Sequence, residues 1–481
     1  MQRQIVKTDL FINNDWCAAA SGERFDVINP ATEEVIAQVA KADADDVDAT
    51  VDAARACFES DAWRQMDARK RGALLTKAAD LLAERLPDVA KLETLQNGKV
   101  LFESKIDVSM SVETLRYYGG WADKITGDTL PVNGPFFVYT LREPVGVVGA
   151  IVPWNFPLNL ATWKFAPALA AGCTVILKPA SETPLTALAM AEIMLDVGFP
   201  PGAFNVLPGG GSTAGSALVR HPGVNKISFT GSTEIGKQVM RDATDTVKRV
   251  TLELGGKSPN IIFADADLKS AVRGAQTAIF YGKGEVCAAG SRLLVEQSVK
   301  DQVVEQLVAR AKKLEPGDPL DKNTRLGAVV SKAQQETVLS YIESGKKQAT
   351  LVAGGNARDV NGKGYFVEAT VFDDAKPGMK IVDEEIFGPV LAVMSFDDVE
   401  HGIALANETI YGLAAGIWTK DIQKAHRVAR EVQAGTVWIN TYNMYDPAAP
   451  FGGYKASGFG RDLGRESLDG FLETKTVWVG L

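Results

Sequence analysis

The stretch Val145-Gly-Val-Val-Gly-Ala-Ile-Val152 is an unbroken run of apolar residues and glycines, which is typical of a short buried strand. A largely helical segment, residues 156–172, follows it, and Thr174-Val-Ile-Leu177 is the next apolar strand. Further strand–helix units continue this alternation as far as Glu253. Short apolar strands that alternate with helices predict a parallel sheet with helices on both faces.

A second set of alternating strands and helices is predicted between residues 265 and 440. A block of amphipathic helices, residues 45–122, precedes the first set, and its clearest member spans residues 67–86. The sequence therefore predicts an α/β protein with two β/α domains, each built on an open sheet of the parallel type. The strand candidates of the second set are Arg292–Glu296, Ala349–Ala353, Ala369–Phe372, Val390–Ser395 and Thr436–Asn440.

Residues 127–141 differ in character from the helical block before them, because two prolines and a glycine disfavour a helix there. Phe136-Phe-Val-Tyr-Thr-Leu141 is a strand candidate with no helix of its own, and the tail Thr474-Lys-Thr-Val-Trp-Val479 is another. We expect these two strands to form a small β flap, paired within one subunit or between neighbouring subunits.

The composition is that of a globular protein, with 481 residues, of which 46% are hydrophobic and 23% are charged. The net charge of −9 argues against nucleic acid or an anionic membrane as a partner. The start, Met1-Gln-Arg-Gln-Ile-Val-Lys7, lacks the apolar core of a secretory signal. No run approaches the roughly 20 apolar residues of a membrane span. We therefore expect a cytoplasmic protein.

The cysteines are too few in so long a chain for a disulfide framework, and their spacing matches no zinc site. We expect a reducing compartment and no metal in the chemistry. One cysteine stands apart, because it lies in the glycine-rich stretch Tyr281-Gly-Lys-Gly-Glu-Val-Cys287-Ala-Ala-Gly-Ser-Arg292. Glycines let a loop fold closely around the sulfur, and a thiolate is a strong nucleophile. A lone cysteine is more often a buried structural thiol, so the other motifs decide between these roles. The four cysteines are Cys17, Cys57, Cys173 and Cys287.

The segment Leu252-Glu-Leu-Gly-Gly-Lys-Ser-Pro-Asn260 places a carboxylate, Glu253, at the end of an apolar strand. Burial at this position would raise the pKa of the carboxyl group towards neutrality, as a general base requires. The alternative is a glutamate that merely pairs with Lys257. The three histidines stand in ordinary surroundings, so a carboxylate is the favoured base for Cys287.

Three other segments also follow predicted strands, where ligands bind in sheets of this kind. Pro153-Trp-Asn-Phe-Pro157 is suited to hold the Asn155 amide as a fixed donor, and Lys178-Pro-Ala-Ser-Glu-Thr-Pro184 is suited to bind ribose hydroxyls or a phosphate. Phe229-Thr-Gly-Ser-Thr-Glu-Ile-Gly236 joins a strand to a helix, where backbone N–H groups hold phosphate. We favour it over the looser dinucleotide fingerprint at residues 209–214.

Taken together, these motifs resemble those of the aldehyde dehydrogenase superfamily, and the resemblance covers essentially the whole chain. The signatures occur in family order at residues 229–236, 252–260, 287–292, 384–390 and 450–458. The resemblance implies three parts. They are a Rossmann-like cofactor-binding domain (1–125 and 145–255), a catalytic domain (256–460) and oligomerisation segments (126–144 and 461–481).

The resemblance also implies catalytic roles. Cys287 matches the nucleophile that forms a thiohemiacetal with the aldehyde. The Asn155 amide and the backbone N–H of Cys287 match the oxyanion hole. Glu253 matches the base that activates water to release the acid from the thioester.

Cofactor and substrate contacts follow from the same resemblance. Glu385 and Phe387 match positions that hold the nicotinamide ribose and ring, and Lys178 matches a contact to the adenosine ribose. Trp154, Gly231 and Ser232 match contacts to the pyrophosphate. Five aromatic residues are expected to line the aldehyde tunnel, although core packing is an alternative role for Trp163. They are Phe156, Trp163, Tyr281, Tyr445 and Phe451.

Two positions depart from the family pattern. Glutamate stands at 285, where many members have glutamine, and this changes the charge beside the nucleophile. Ser181 stands where NAD-specific members often have a glutamate that pairs with the adenosine ribose hydroxyls. A serine does not repel a 2′-phosphate, and Lys178 can supply a cation. We therefore expect NADP+ to be accepted as well as NAD+, although Glu182 would restore repulsion if it turned inward.

The leading interpretation is a non-acylating, NAD(P)+-dependent aldehyde dehydrogenase. A CoA-acylating enzyme, a cysteine hydrolase without a redox cofactor and an inactive structural relative are the alternatives. Glu253 argues against the first, the cofactor motifs against the second, and the intact set of Cys287, Glu253 and Asn155 against the third. Aromatic tunnel positions without an arginine favour apolar aliphatic or aromatic aldehydes. The resemblance further implies a homodimer or homotetramer.

Overall fold

Two large sheets with their helices, and a smaller three-stranded sheet, make up the computed structural model, which describes residues 6–481. The α/β fold class predicted from the sequence is confirmed. The prediction that the chain lacks a secretory signal rests partly on residues 1–5, which lie outside the described residues. Between residues 6 and 481, no helix has both the length and the apolar character needed to cross a bilayer.

The α-helices form an N-terminal layer and then alternate with strands. They are α1 (Ala44–Glu59), α2 (Asp61–Arg64), α3 (Ala68–Glu84), α4 (Leu86–Asn97), α5 (Leu101–Trp121), α6 (Pro157–Ala171), α7 (Leu185–Asp196), α8 (Ser216–Arg220), α9 (Thr233–Asp242), α10 (Leu268–Phe280), α11 (Lys300–Ala311), α12 (Lys332–Gly345), α13 (Lys380–Asp383), α14 (Val399–Asn407), α15 (Ile422–Glu431) and α16 (Glu466–Asp469).

The strands are mostly short. They are β1 (Leu10–Ile12), β2 (Asp15–Cys17), β3 (Arg24–Asn29), β4 (Glu34–Ala40), β5 (Thr129–Leu130), β6 (Phe136–Pro144), β7 (Val147–Ile151), β8 (Thr174–Lys178), β9 (Phe204–Val206), β10 (Lys226–Thr230), β11 (Arg249–Glu253), β12 (Pro259–Ile262), β13 (Arg292–Glu296), β14 (Thr350–Ala353), β15 (Ala357–Val360), β16 (Lys363–Val367), β17 (Thr370–Asp373), β18 (Val390–Phe396), β19 (Ala414–Trp418), β20 (Thr436–Ile439), β21 (Gly458–Phe459) and β22 (Leu472–Gly480).

The first sheet has the strand order β2-β1-β9-β8-β7-β10-β11-β21. Its five inner strands, from β9 to β11, are parallel, as the β/α alternation predicts. β7 and β8 are buried at every position, because helices cover both faces. The edges are antiparallel, and β21 comes from the far end of the chain to pair with β11.

The second sheet has the order β14-β17-β18-β13-β12-β19-β20, and only β14 is antiparallel. Our strand candidates for this region omit two of its inner strands, β12 and β19. β12 is only four residues long and begins with a proline, whereas β19 begins Ala-Ala-Gly, which has little intrinsic preference for a strand. Both are strands because their neighbours on each side supply hydrogen bonds and a buried environment.

The N-terminal helical layer follows the predicted amphipathic pattern. In α3, Leu74, Leu75, Ala78 and Leu82 are buried on one face, and the Asp67 side chain caps the first turn. α3 packs against α5, which in turn packs against α6 of the first sheet. This stacking fixes α6 behind the segment that carries Trp154 and Asn155.

The predicted flap is a three-stranded sheet of order β22-β6-β5. β6 and β22 pair antiparallel within the chain over their whole length, from Leu472 opposite Pro144 to Gly480 opposite Phe136. Apolar side chains on this flap are exposed, among them Phe136, Phe137 and Trp478. An exposed apolar sheet of this kind is a candidate surface for another subunit.

Candidate active site

The predicted site residues meet where the carboxyl edge of the first sheet faces the amino edge of the second. Asn155 follows β7 and Glu253 ends β11, whereas Cys287 and Glu385 precede β13 and β18. Two hydrogen bonds cross the junction. The Asn155 Nδ2 donates to the backbone carbonyl of Glu285 at 2.9 Å, and the Gly256 N–H donates to Glu385 Oε1 at 3.0 Å.

The Cys287 loop begins with a tight turn at 281–284. Gly284 has a φ of 72°, and a Cβ there would come within 2.1 Å of the Gly388 carbonyl oxygen. The loop therefore lies backbone to backbone against the segment that carries Phe387. Cys287 itself is half-buried, and its surroundings desolvate the thiol. Desolvation raises the pKa of Cys287 to about 12, and Glu253 and Glu385 act in the same direction.

The Asn155 side chain is held by burial and by one donated hydrogen bond. The residue is buried, and its Nδ2 has a second N–H that is not used by the Glu285 carbonyl. Its Oδ1 has no partner among the described residues. The preceding carbonyl, that of Trp154, accepts a hydrogen bond of 2.7 Å from the Asn97 amide. One N–H of the Asn155 amide is therefore free for a ligand while the other holds the side chain in place.

Glu253 is buried, and neither carboxylate oxygen accepts a hydrogen bond of normal geometry from the described residues, although the Gly453 N–H is close enough to lower the pKa of this carboxyl. Burial raises the pKa of Glu253 well above that of an ordinary carboxyl, and the negative charge of Asp462 adds to this. Lys164 and Arg461 oppose the shift. A buried carboxylate with free oxygens and a raised pKa is a competent acceptor for a proton from water.

A buried ion pair lies behind Glu253. Lys164 Nζ is 3.0 Å from Asp462 Oδ2, and both side chains are almost fully inaccessible. Lys164 comes from α6 and Asp462 from the segment after β21, so the pair joins the first sheet to the C-terminal part of the chain. Because both charges act on Glu253, this pair sets part of the electrostatic field at the base.

A cavity of about 600 Å³ leads to Cys287. Its volume is within the usual range for small-molecule sites. Trp163, Tyr445 and Phe451 contact one another with ring centroids 5.5 to 6.1 Å apart, so one wall is a cluster of aromatic rings. Trp163 therefore packs in a core and lines the cavity as well. All five aromatic residues predicted for the tunnel line this cavity: Phe156, Trp163, Tyr281, Tyr445 and Phe451.

Charged groups also reach the cavity wall. Glu103 and Asp107 line it, and both are buried. Asp107 Oδ2 is 2.5 Å from Lys99 Nζ, which also lies 4.0 Å from the centre of the Phe156 ring. Burial raises the pKa of Glu103 to about 7, and the N–H of Gly282, which donates to Glu103 Oε1, opposes the shift. Lys99 is thus already paired with a carboxylate.

The adenosine side of the predicted cofactor site lies at the ends of β8 and β9. Lys178 is buried, yet its ammonium donates only to the carbonyl of Pro179, at 2.7 Å. Burial lowers its pKa to about 8, against the effect of Glu182. Ser181 is half-buried and donates to the Gly209 carbonyl at 3.2 Å. An ammonium with two unused donors fits a ligand rich in hydroxyl or phosphate oxygens.

The residues predicted to contact the pyrophosphate, Gly231 and Ser232, lie at the N-terminus of α9. Ser232 caps this helix by accepting from the Ile235 N–H at 3.4 Å, and the residue is exposed. A Cβ at Gly231 would come within 2.5 Å of the Phe229 ring, so no side chain fits between strand and helix. α9 is ten residues long, and the backbone just before it carries no side chain at Gly231. The N–H groups at such a helix N-terminus suit a phosphate group.

Trp154, Glu385 and Phe387, the residues predicted to hold the nicotinamide half, lie close together. The rings of Trp154 and Phe387 meet edge to face with centroids 5.2 Å apart. Burial raises the pKa of Glu385 to about 7, and the Gly256 N–H opposes this. Phe387 has a φ of 56°, a backbone conformation that is rare outside glycine and is concentrated at functional sites.

Comparison with known proteins agrees with this geometry. The model of the aldehyde dehydrogenase family matches residues 16–477. The chain belongs to the aldehyde dehydrogenase family. It is an oxidoreductase that acts on the aldehyde group and uses a cofactor of the NAD type. Relatives that match nearly the whole length of the chain indicate this.

Three relatives show which proteins this aldehyde dehydrogenase is similar to. A putative aldehyde dehydrogenase of Bacillus subtilis (strain 168), DhaS, is 49% identical, over 98% of this chain and 95% of its own. The NAD+ complex of an aldehyde dehydrogenase from Bacillus cereus has a TM-score of 0.97 at 50% identity, covering 99% and 97% of the two chains. The P. syringae indole-3-acetaldehyde dehydrogenase AldA, in complex with NAD+ and IAA, has a TM-score of 0.97 at 46% identity, covering 99% and 97%.

Several residues at the site are absent from our sequence-based predictions. Lys164 is the only charged residue of the largely apolar α6, and this could have marked it as buried and paired. Its partner Asp462 stands far away in the sequence, so only the fold brings them together. No pattern in the sequence identifies Asn97, which reaches the Trp154 carbonyl from the end of α4.

Proposed function

We propose that the enzyme oxidises an aldehyde to the carboxylic acid through a thioester on Cys287. The observation that carries this proposal is that the half-buried thiol lines an aromatic cavity at the junction where Asn155 and Glu253 also lie. The Cys287 sulfur attacks the carbonyl carbon. The oxygen gains negative charge and accepts hydrogen bonds from the free Asn155 N–H and the Cys287 backbone N–H.

Deprotonation of the thiol requires a nearby base, because desolvation raises the pKa of Cys287 to about 12. Glu253, whose pKa is raised by burial, is suited to accept that proton. NAD(P)+, when bound, supplies the acceptor for the hydride that leaves the substrate carbon. Glu253 passes the thiol proton to solvent and is again a carboxylate before hydrolysis. It then takes a proton from water, the water oxygen attacks the thioester carbon, and the Cys287 sulfur leaves with its electron pair. The acid is released and no CoA is needed.

A different group of residues would contact each of the three parts of the cofactor. Lys178 and Ser181 would contact the adenosine ribose, and Gly231 and Ser232 the pyrophosphate. Trp154, Glu385 and Phe387 would hold the nicotinamide half. The unused donors of Lys178 and the bare backbone before α9 support this assignment.

NADP+ is proposed as a second accepted cofactor. Ser181 carries no charge, and Lys41 and Lys332 line the same cleft of about 440 Å³. Lys41 is paired with Glu23 at 2.7 Å, so Lys332 and Lys178 are the cations left to attract a 2′-phosphate. Glu182 lines this cleft too, and its side chain is exposed, which weakens its repulsion through solvent screening.

Apolar aliphatic or aromatic aldehydes are the proposed substrates. The cavity wall is largely aromatic, and the carboxyl groups of Glu103 and Asp107 would repel a substrate carboxylate. Arg325 lines the outer cavity, but its Nη1 donates to the carbonyls of Lys322 and Thr324. The neighbour named as an indole-3-acetaldehyde dehydrogenase acts on an aromatic aldehyde, which agrees with this class.

The substrate class is tested by kcat/KM for hexanal and benzaldehyde against succinic semialdehyde. We expect the two apolar aldehydes to be favoured by about tenfold or more, because a buried carboxylate without a cation is costly. The variant Arg325→Gln serves as the control, and it should change none of these ratios. A preference for succinic semialdehyde would refute the proposal, and its loss in Arg325→Gln would assign it to that guanidinium.

We also propose that the enzyme is a homodimer or homotetramer that works in a reducing, cytoplasmic compartment. The exposed apolar flap supports the first statement. The free state of all four cysteines agrees with the second.

The reaction itself is tested with Cys287→Ala, measured by the absorbance of reduced cofactor with an aldehyde, with and without CoA. We expect activity to vanish while cofactor binding is retained, because only the nucleophile is lost. Cys17→Ala, which removes another half-buried thiol, should be fully active. Turnover by folded Cys287→Ala above a few per cent of wild type would exclude covalent catalysis at this residue. Strict dependence on CoA would assign the enzyme to the acylating class.

A further inference from the structure

Three successive residues before the nucleophile adopt a left-handed backbone. The φ angles are 57° at Gly282, 63° at Lys283 and 72° at Gly284. Glycine adopts this conformation without steric cost, whereas a lysine does so only when other interactions compensate. The contacts of the Lys283 side chain must therefore offset the strain of its backbone.

The Lys283 ammonium is buried, with two hydrogen bonds and one ion pair. It donates to the Asn97 carbonyl at 2.9 Å and to Asn97 Oδ1 at 2.7 Å, and it lies 2.8 Å from Glu285 Oε2. Two of the three N–H donors of the ammonium therefore have acceptors on Asn97, and the charge is balanced by the Glu285 carboxylate. Asn97 is the last residue of α4, where carbonyls carry partial negative charge and attract a cation. Lys283 does not line the substrate cavity.

Glu285 is equally buried and links this pair to the site. Its Oε1 accepts a hydrogen bond from the Val330 N–H at 3.0 Å, and its Oε2 is in ion-pair contact with Lys283. Its backbone carbonyl is the acceptor that anchors the Asn155 amide at 2.9 Å. Asn97, held by Lys283, donates to the Trp154 carbonyl at 2.7 Å. The contacts thus close a ring that runs through Lys283, Asn97, the Trp154–Asn155 main chain and Glu285.

We propose that the buried Lys283–Glu285 ion pair positions the Asn155 amide. Asn97 fixes the main chain at Trp154, and the backbone carbonyl of Glu285 fixes one N–H of the Asn155 amide. The second N–H is then directed to the oxygen of a substrate bound to Cys287. This inference rests on the proposed function, because it assumes that Asn155 stabilises that oxygen. Lys283 and Glu285 are positioning residues and touch no substrate.

The same contacts argue against a second role for Lys283. A lysine that bound a substrate carboxylate would have to leave these three contacts and cross the Cys287 loop. It would also leave Glu285 buried and unpaired, which is strongly unfavourable. The pair therefore serves the geometry of the reaction and not the choice of aldehyde.

The experiment is a double-mutant cycle between Lys283→Met and Asn155→Ala. The readout is the single-turnover rate of cofactor reduction at saturating aldehyde, together with KM and the Kd of NAD+. Asn155→Ala alone should slow reduction by about a hundredfold, the usual effect of losing one oxyanion donor. Lys283→Met alone should slow it about tenfold or more, with the Kd of NAD+ unchanged. In the Asn155→Ala background, Lys283→Met should slow it less than about twofold.

The outcomes separate the two proposals. Equal slowing by Lys283→Met in both backgrounds, or no slowing in wild type, would overturn the positioning role. An Asn155→Ala variant that reduces cofactor at the wild-type rate would instead overturn the proposed role of Asn155. Lys300→Met breaks another mostly buried ion pair, with Asp373 at 3.0 Å, and should leave the reduction rate unchanged.

If Lys283→Met does not fold, because it leaves the Glu285 charge unpaired, a neutral pair replaces it in the cycle. The variant Lys283→Gln with Glu285→Gln contains no unpaired charge and keeps groups that can form hydrogen bonds. Its effect on the reduction rate should likewise disappear in the Asn155→Ala background. Slowing by the same factor in both backgrounds would again contradict the positioning role.

Discussion

The Lys164 ammonium lies 3.0 Å from the Asp462 carboxylate, and this buried pair acts electrostatically on Glu253. Asp462 raises the pKa of Glu253, whereas Lys164 lowers it, and both act on a carboxyl whose pKa is already raised by burial. The pair is therefore expected to tune the pH at which the proposed base becomes active.

The variant Asp462→Asn tests this expectation through the pH dependence of kcat. A base works when deprotonated, so the rate falls as pH drops through the raised pKa of Glu253. Removing the Asp462 charge lowers that pKa, and the unpaired Lys164 lowers it further. The acidic limb of the profile should therefore move to lower pH. Asp397→Asn, which removes an exposed carboxylate, should leave the limb in place. A limb that stays fixed or moves to higher pH in Asp462→Asn would contradict this account.

Glu253→Gln should separate the two halves of the reaction. The amide cannot take a proton from water, so the thioester on Cys287 should accumulate after the first reduction of cofactor. Stopped-flow absorbance should show a burst followed by turnover slowed about a hundredfold or more. Steady-state rates near wild type would eliminate Glu253 as the base for water. The burst should also be slower than in wild type, because the amide cannot accept the thiol proton of Cys287, and a burst at the wild-type rate would show that another group accepts it.

Cofactor choice is tested at Ser181. The variant Ser181→Glu places a carboxylate where a 2′-phosphate would lie, so kcat/KM for NADP+ should fall about tenfold or more while that for NAD+ changes little. Both values are measured in wild type, in Ser181→Glu and in Ser298→Glu, a change at an exposed residue that does not line this cleft. A wild-type preference for NAD+ above about a hundredfold would show that Ser181 does not decide the choice.

Subunit assembly is tested on the flap. Trp478 is 58% exposed and contacts Phe136 with ring centroids 5.7 Å apart. A charge at this position would disfavour burial against another subunit, so Trp478→Glu should shift sedimentation towards smaller species. Ile422→Glu, at a similarly exposed apolar residue on α15, should sediment as wild type does. A wild-type protein that is monomeric and fully active would contradict the proposed assembly.

Much of the fold could be predicted because its strands are short apolar runs and its motifs stand at strand ends. The strand pattern alone places Asn155 and Glu253 at one edge of the first sheet. It does not reveal β19, whose alanines and glycine form a strand only between two neighbours. Nor does it reveal the Lys164–Asp462 pair, because two residues almost 300 positions apart leave no local pattern. The sequence also gives no sign that Lys283 is buried and paired, since its acceptors lie mainly on a distant helix.

The backbone contact between Gly284 and the Gly388 carbonyl has a mechanical consequence. A side chain could not fit between these segments, so there is no free space between the loop of Cys287 and the segment of Phe387. A displacement of one is transmitted directly to the other, because packed backbone does not compress. Binding of a cofactor should therefore change the rate at which a small alkylating reagent modifies Cys287, even when no aldehyde is present.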